Sequence, residues 1–194
     1  MALKLNLAPA IAWRTYITPF IQEQKIIEIS DHISSEIGLS KRELMGLIIY
    51  SYSLDKSGGL NVYWDDSHEE PNDGFIRDKS ENVVRCEHKL VAQFNREEVI
   101  KAMLDTYNKY ANRGKSYGEN RHLIIQTNLN SNGLAKISKV HNEIENKCVF
   151  DKVFLLHVNG FEPNNVIRFS FSEQYPKLCL SHIKIDSQTG ECIN

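Results

Sequence analysis

The sequence contains no long apolar run, few cysteines and no excess of basic charge. No hydrophobic segment approaches the roughly 20 residues that span a bilayer, so we expect no membrane contact. Residues Met1 to Lys4 are not followed by the apolar stretch of a cleaved signal peptide. The four cysteines are too few and too far apart for a disulfide scaffold. Together these features predict a cytoplasmic protein with reduced cysteines.

The balance of charge narrows the classes of function. With 23 basic and 25 acidic residues the net charge is −2, which argues against a module that binds nucleic acid through overall basicity. A nuclease is not excluded, because acidic metal ligands lower the total charge and a local basic stretch can still bind phosphate. The chain also lacks a P-loop, a G-x-G-x-x-G motif and a G-x-S-x-G elbow, so the sequence does not indicate nucleotide-driven chemistry or a serine nucleophile.

The whole chain of 194 residues is predicted to form a single domain with a substantial core. Residues 1–56 form a helical N-terminal part: apolar residues recur at helical spacing after Pro19, and Ser40 with Glu43 makes a capping box for a second helix. From residue 57 to residue 194, strand-like and helix-like segments alternate, which is typical of an α/β domain with a mixed sheet. The later strands are predicted at 60–64, 74–77, 83–91, 122–126, 153–157, 166–171 and 178–185, and the later helices at 96–107 and 134–146.

The tripeptide Glu87-His88-Lys89 closes an apolar run that begins at Val83. Alternate side chains of a strand point to opposite faces, so Glu87 and Lys89 share one face and His88 takes the other. Charges on a half-buried strand are costly unless they are paired or hydrated, and catalysis is one reason to place them there. With Asp73 on a preceding strand, two carboxylates would hold a hard divalent cation, and the lysine would hold a water molecule and stabilise a developing charge.

These residues resemble the PD-(D/E)xK nuclease superfamily, with Asp73 and then Glu87-x-Lys89 in the family's order. The resemblance covers roughly residues 20–128 and is closest to Mrr-type restriction endonucleases, in which a similar apolar strand ends in Thr-Asn, here Thr127-Asn128. It implies an α/β fold with a restriction-endonuclease-like mixed central sheet flanked by helices, with residues 57–194 as the nuclease-like core.

The same resemblance implies a metal-dependent endonuclease that hydrolyses DNA phosphodiester bonds, in restriction or defence. Asp73 and Glu87 would be metal ligands, with the backbone carbonyl of His88 as a third, and Lys89 would orient or activate the attacking water. Gln126, at the end of the next strand, would be a polar residue near the site. Mg²⁺ is the expected ion, and Mn²⁺ is an alternative.

Several alternatives stay open. The sequence reads Pro71-Asn72-Asp73 where the family has Pro-Asp, so Asp65 and Asp66 compete with Asp73 as the first metal ligand. The Glu87–Lys89 pair is also compatible with a surface salt bridge, worth only about 0–1 kcal/mol. A non-catalytic module of the same fold, binding nucleic acid or a protein partner, is the alternative function. For a site-specific restriction enzyme, residues 1–56 or a homodimer would supply the recognition region.

Two further sets of residues bear on the site. Cys86-x-His88 and Cys179-x-x-His182 are the close pairs with zinc-like spacing, but a second half of such a site is missing, and Cys86 with His88 fits a buried core pair better. A phosphate-facing basic patch would come from Arg85, Lys101, Lys109, Arg113, Lys115 and Arg121.

Overall fold

Nine strands form a single sheet in the computed structural model of the chain, which describes residues 4–21, 38–65, 74–91, 96–127 and 137–193. The strands are β1 (Lys4–Leu7), β2 (Asn61–Asp65), β3 (Gly74–Arg77), β4 (Val83–Val91), β5 (Arg121–Thr127), β6 (Lys152–Glu162), β7 (Val166–Tyr175), β8 (Cys179–Asp186) and β9 (Cys192–Ile193). The helices of the described residues are α1 (Pro9–Tyr16), α2 (Gly38–Leu54), α3 (Arg96–Ala111), α4 (Lys115–Gly118) and α5 (Ile137–Ile144), with a 3-10 turn at Thr18–Phe20.

The strands lie side by side in the order in which they occur in the chain. Strands β1 to β4 are antiparallel to one another, β4, β5 and β6 are parallel, and β6 to β9 are antiparallel again. Helix α3 lies in the connection from β4 to β5, and α5 lies in the connection from β5 to β6. Parallel neighbours need such crossover connections, whereas antiparallel neighbours can be joined by short turns, as β6, β7 and β8 are.

The predicted fold class, an α/β restriction-endonuclease-like mixed central sheet flanked by helices, is wrong. The sheet curls into a half-barrel, and the helices beside it are few and mostly short. Strands β6, β7 and β8 have 11, 10 and 8 residues and follow each other as a meander, so their connections carry no helix. Periodicity identifies single strands but does not show how many of them join one sheet or how that sheet curves.

The individual elements agree more closely with the sequence pattern than the fold class does. The predicted strands at 60–64, 74–77, 83–91 and 122–126 and the helix that starts at Arg96 are confirmed, and so are the three later strands. The second predicted helix is α2, but it begins at Gly38, so Ser40 lies inside the helix and not at its N-cap. The first predicted helix, after Pro19, extends into residues 22–37, which lie outside the described residues. The N-terminal part, predicted as helical, also contributes β1, and β9 was missed.

The sheet has a hydrophobic core on each of its two sides. Helices α1 and α2 cover one side, which we call the α2 face, and α3 and α5 cover part of the other, which we call the α3 face. The α2-face core includes the sheet residues Val62, Trp64, Ile76, Cys86, Ile124, Phe154, Ile167 and Phe169. The α3-face core includes Leu123, Ile125, Val153 and Leu155 together with Met103, Tyr107, Val140 and Ile144 from the helices. No helix within the described ranges is long and apolar enough to cross a membrane.

Candidate functional site

The tripeptide Glu87-His88-Lys89 lies within β4, and its side chains divide between the two faces of the sheet. Glu87 pairs in register with Leu123, a residue of the α3-face core, whereas His88 pairs with Ile124, a residue of the α2-face core. Paired residues of neighbouring strands point to the same side. The alternation predicted from the sequence is therefore confirmed, with Glu87 and Lys89 on the α3 face.

Glu87 and Lys89 form an ion pair on that face. The Nζ atom of Lys89 lies 3.5 Å from Oε1 of Glu87, and the side chains are 27% and 6% exposed respectively. Because the carboxylate is buried, its desolvation must be offset by partners, and the pair is not the exposed surface bridge considered from the sequence. The ammonium group also lies 5.3 Å from the centre of the Tyr110 ring, a cation–π distance. Lys89 thus stands on the solvent side of an enclosed carboxylate.

Two arginines and two tyrosines adjoin this pair, and we call them the arginine–tyrosine cluster: Tyr110, Arg113, Tyr117 and Arg121. The Arg113 guanidinium lies 4.8 Å from the centre of each tyrosine ring, and that of Arg121 lies 4.2 Å from the Tyr117 ring. Burial, and after it the negative charge of Glu87 and a hydrogen bond with that residue, raise the pKa of Tyr117. The cluster is therefore electrically coupled to Glu87.

Arg121 brings hydrogen-bond donors that nothing in the described residues satisfies. Its Nε and Nη1 atoms are buried and have no hydrogen-bond partner there. Leaving a buried donor unpaired costs about 1–3 kcal/mol, and more for a charged group. An oxygen anion such as a phosphate would remove that cost, and planar guanidinium groups suit the geometry of phosphate.

The loop after α3 holds the cluster in place through two glycines. Gly114 has φ 93°, a left-handed conformation that favours glycine, and it precedes the short helix α4 that carries Tyr117. A Cβ atom on Gly118 would lie 2.1 Å from the backbone oxygen of Val149. The sequence can therefore bring α4 against the segment before β6 only with glycine at position 118.

The opposite face receives the side chains of His88 and Gln126. The two are 1% and 0% exposed, and Nε2 of His88 lies 2.9 Å from Oε1 of Gln126. Helix α2 packs directly on them, since a Cβ atom on Gly46 would lie 2.4 Å from Cδ2 of His88. Gln126 was predicted to stand near Glu87, but the sheet separates the two side chains. Glu43, which is also buried, belongs to α2.

The acidic candidates for the first metal ligand lie at the limits of the described structure. Asp73 and Asp66 lie outside the described residues, and Asp65 ends β2 with a side chain that is not described. Gly74, which follows Asp73 in the sequence, pairs with Cys86, which precedes Glu87. Within the described ranges, no three His, Cys, Asp or Glu side chains group closely enough to hold a metal ion.

The pairs with zinc-like spacing take other roles. Cys86 and His88 are both buried in the core of the α2 face, as predicted for a core pair. Cys179 and His182 are exposed on β8, and Nδ1 of His182 lies 3.2 Å from the Ser170 hydroxyl. All four cysteines are free thiols.

Sequence reasoning missed an aromatic pair on the α3 face, the side of the sheet that carries Glu87 and Lys89. Tyr63 on β2 and Phe75 on β3 are register partners with stacked rings, 4.1 Å between centres and 11° between planes. Phe75 is in turn the register partner of Arg85, two residues before Glu87. Alternation along β2 separates Tyr63 from the buried Val62 and Trp64, but its pairing with Phe75 depends on a strand register that the sequence does not show.

Comparison with known proteins adds no family to this geometry. No protein-family model matches the chain, and no curated protein matches it. The functional argument therefore rests on the side chains that the sheet brings together on the α3 face.

Proposed function

We propose that the protein binds DNA and hydrolyses its phosphodiester bonds in a metal-dependent reaction centred on Glu87 and Lys89, as a cytoplasmic enzyme. The observation that carries the proposal is the buried Glu87 carboxylate with Lys89 at 3.5 Å on the same face, beside the guanidinium groups of Arg113 and Arg121. Phosphoryl chemistry needs a carboxylate, a nearby ammonium group and donors for phosphate oxygens, and these groups supply each of them.

Each residue has a distinct part in the proposed reaction. Lys89, which is partly exposed, would orient the attacking water and stabilise the negative charge that builds on the scissile phosphate. The free donors of Arg121 would hold a neighbouring phosphate oxygen, and Arg113 would add positive charge at the exposed edge. Glu87 is enclosed, so its carboxylate keeps a fixed position relative to the ammonium group.

A divalent ion fits this face only in part within the described residues. Glu87 supplies one carboxylate oxygen ligand, and Asp73, directly before β3, is the proposed second ligand, with the carbonyl of His88 as a third. Mg²⁺ prefers such oxygen ligands and keeps several waters, and when bound it would supply charge stabilisation at the phosphate. Mn²⁺ would bind the same donors.

A non-catalytic DNA-binding module is the second candidate. It is favoured by the cationic groups that adjoin Glu87 on this face, Lys89, Arg113 and Arg121, because such groups bind phosphate without a metal ion. In that case the same arginines and Lys89 would bind phosphate, and Glu87 would only hold Lys89 and Tyr117 in place. Both candidates predict DNA binding by the α3 face, and they differ in whether the bound DNA is cut.

The test is cleavage of plasmid and linear DNA with Mg²⁺ or Mn²⁺, with EDTA as the metal-free arm. The parent protein is compared with Glu87→Gln, which keeps the shape of the side chain and removes its charge. Glu162→Gln is the matched control, because Glu162 also pairs with a lysine, Lys184, at 2.8 Å in the same sheet. We expect cutting by the parent and the control, and none by Glu87→Gln or with EDTA.

Two results would refute the enzymatic proposal. Undiminished cleavage by a folded Glu87→Gln protein would remove Glu87 from the reaction. DNA binding without cleavage in any metal would leave the binding module as the function.

A further inference from the structure

The stacked Tyr63–Phe75 pair adjoins the proposed reaction centre on the same side of the sheet. Phe75 is the register partner of Arg85, and Arg85 precedes Glu87 by two residues on β4. With strands about 4.8 Å apart and a rise of about 3.3 Å per residue, the Cα atoms of Phe75 and Glu87 lie roughly 8 Å apart. The aromatic pair is therefore about one nucleotide away from the carboxylate.

The two rings are also open to ligand on this side. Tyr63 and Phe75 are half-buried, whereas their neighbours Val62, Trp64 and Ile76, which point to the α2 face, are at most 3% exposed. A stacked pair of this kind can have no other role than to stabilise neighbouring strands, and the contact between the two rings is sufficient for that role. The cationic side chains beside the aromatic pair indicate that it also binds a ligand.

Positive charge accompanies the aromatic pair. The Arg77 guanidinium lies 5.5 Å from the centre of the Phe75 ring and also bridges to Glu81 at 3.0 Å. Arg85 is exposed beside Phe75, and Lys89 follows further along the same strand. Aromatic rings interleaved with cations are the arrangement by which proteins bind single-stranded nucleic acid, because each base presents a face for stacking and each phosphate a charge.

We infer that the ligand of the α3 face is an unpaired DNA strand, with a base stacked on the Tyr63–Phe75 pair and its phosphate at Arg85. In a duplex, the faces of each base are already covered by neighbouring bases, so stacking on a protein ring selects an unpaired strand. The inference rests on the proposed function in that it places DNA on the same face.

The experiment measures equilibrium binding by fluorescence anisotropy in EDTA, so that cutting cannot interfere. The probes are a labelled single strand, the matching duplex, and an abasic strand of the same length, which keeps the phosphates and removes the bases. Phe75→Leu and Tyr63→Leu remove the aromatic faces and keep apolar bulk, and Arg85→Gln removes the charge. Phe161→Leu, another half-buried aromatic residue of the sheet, and Arg168→Gln, another exposed arginine, are the matched controls.

We expect the single strand to bind more tightly than the duplex or the abasic strand. Phe75→Leu and Tyr63→Leu should each weaken single-strand binding by at least about fivefold, within the range of roughly 5- to 150-fold expected for one stacked base. Their binding of the abasic strand should equal that of the parent, and the two controls should not change. A thermal unfolding curve for each variant verifies that it is folded.

Equal affinity for single strand and duplex, or aromatic variants that bind like the parent, would overturn the inference. Cleavage that persists in Phe75→Leu with unchanged single-strand binding would overturn it and leave the proposed function standing. Selective single-strand binding without cleavage would support the inference and overturn the proposed enzymatic function. No binding of any probe, together with DNA left uncut in Mg²⁺ and Mn²⁺, would remove both.

Discussion

The two faces of the sheet at β4 and β5 differ in what they do with polar residues. On the α2 face, His88 and Gln126 are sealed beneath helix α2 and share one hydrogen bond. On the α3 face, Glu87 is enclosed, but Lys89 next to it is partly exposed and lies over the Tyr110 ring. One face encloses its polar groups in the core, and the other leaves a charged group partly exposed to solvent.

The comparison shows how a short motif should be interpreted on a strand. Glu87 and Lys89 are two residues apart and share an environment, whereas His88 between them belongs to a different core. A functional hypothesis about the side chains of such a tripeptide therefore applies to its first and third residues and not to all three. The following predictions test whether the faces are as separate as the structure indicates.

The largest expected effect concerns the ammonium group of Lys89. Lys89→Met keeps the length of the stem and removes the charge, and we expect the rate of DNA cleavage to fall by about 10²–10³-fold, the usual loss for one charge-stabilising group. Leu90→Met, the next residue on the opposite face, is the control and should leave the rate unchanged. The measurement is the initial cleavage rate with saturating Mg²⁺. A similar loss in both variants would mean that the faces are not independent.

The next prediction compares a glycine from each side. An added Cβ would lie 2.4 Å from the His88 side chain at Gly46 and 2.1 Å from the backbone oxygen of Val149 at Gly118. Overpacking of this kind costs about 1–3 kcal/mol, and Gly118→Ala should be the more costly because backbone yields less than a side chain. Urea unfolding measures both. Gly118→Ala should also weaken DNA binding by displacing Tyr117, whereas Gly46→Ala should not.

If Gly46→Ala weakened DNA binding as much as Gly118→Ala, the separation of the two faces would be contradicted. Equal stability of either variant and the parent would show that the packing around that glycine is looser than described.

A third prediction uses a titrating group of the α2 side. Burial, and after it the positive charge of Lys152, lower the pKa of His122 to about 4, and the hydroxyl of Tyr50 hydrogen-bonds to Nδ1 of its ring. The unfolded chain binds a proton on His122 more tightly than the folded protein does. The neutral ring therefore makes its full contribution to the free energy of unfolding above pH about 6.5, and that contribution is lost as the pH falls towards 4. The loss in the free energy of unfolding stays below roughly 3 kcal/mol, because the ring is partly accessible to solvent.

Chemical denaturation between pH 4 and pH 7.5 measures this dependence, with His122→Gln as the variant. We expect a shallower slope in the variant, with the remainder coming in part from His157, whose pKa burial also lowers. An unchanged slope would show that His122 titrates normally in the folded protein.

The smallest effect is expected for Arg113, at the exposed edge of the arginine–tyrosine cluster. Arg113→Gln removes a cation–π contact with each tyrosine ring, worth about 0.5–1 kcal/mol at an exposed site. Thermal unfolding should hardly change. The salt dependence of DNA binding should become shallower by about one counterion, because one phosphate contact is lost. A full loss of binding would place Arg113 at the centre of the site and not at its edge.

The sequence was sufficient to predict that Glu87 and Lys89 share one face and that His88 takes the other, since the alternation of a half-buried strand is a local property. It was not sufficient for Gln126. The run Leu123-Ile124-Ile125 has no alternation, because a parallel strand buried on both sides is apolar throughout, so the polar residue after it has no recognisable face. The arginine–tyrosine cluster required the path of the chain after α3, and the Tyr63–Phe75 pair required the register of β2 with β3.

The fold class was missed for a related reason. Each strand from β6 to β8 was found, but the pattern of a strand is the same in a flanked sheet and in a curled one. What differs is the length of the connections and the number of strands that pair, and pairing is decided by long-range contacts. The resemblance to the nuclease superfamily implied a fold class that the observed strand pairing does not support.

Photo-cross-linking of a thiothymidine-substituted single strand, followed by mass spectrometry of the attached peptides, tests the central claim most directly. If the α3 face binds DNA, the cross-links should fall on Tyr63, Phe75, Tyr110 or Tyr117, and excess unlabelled single strand should compete them away. Cross-links confined to the opposite side of the sheet, around the exposed Ile11 of α1 and Leu54 of α2, would contradict the account and place the interface elsewhere.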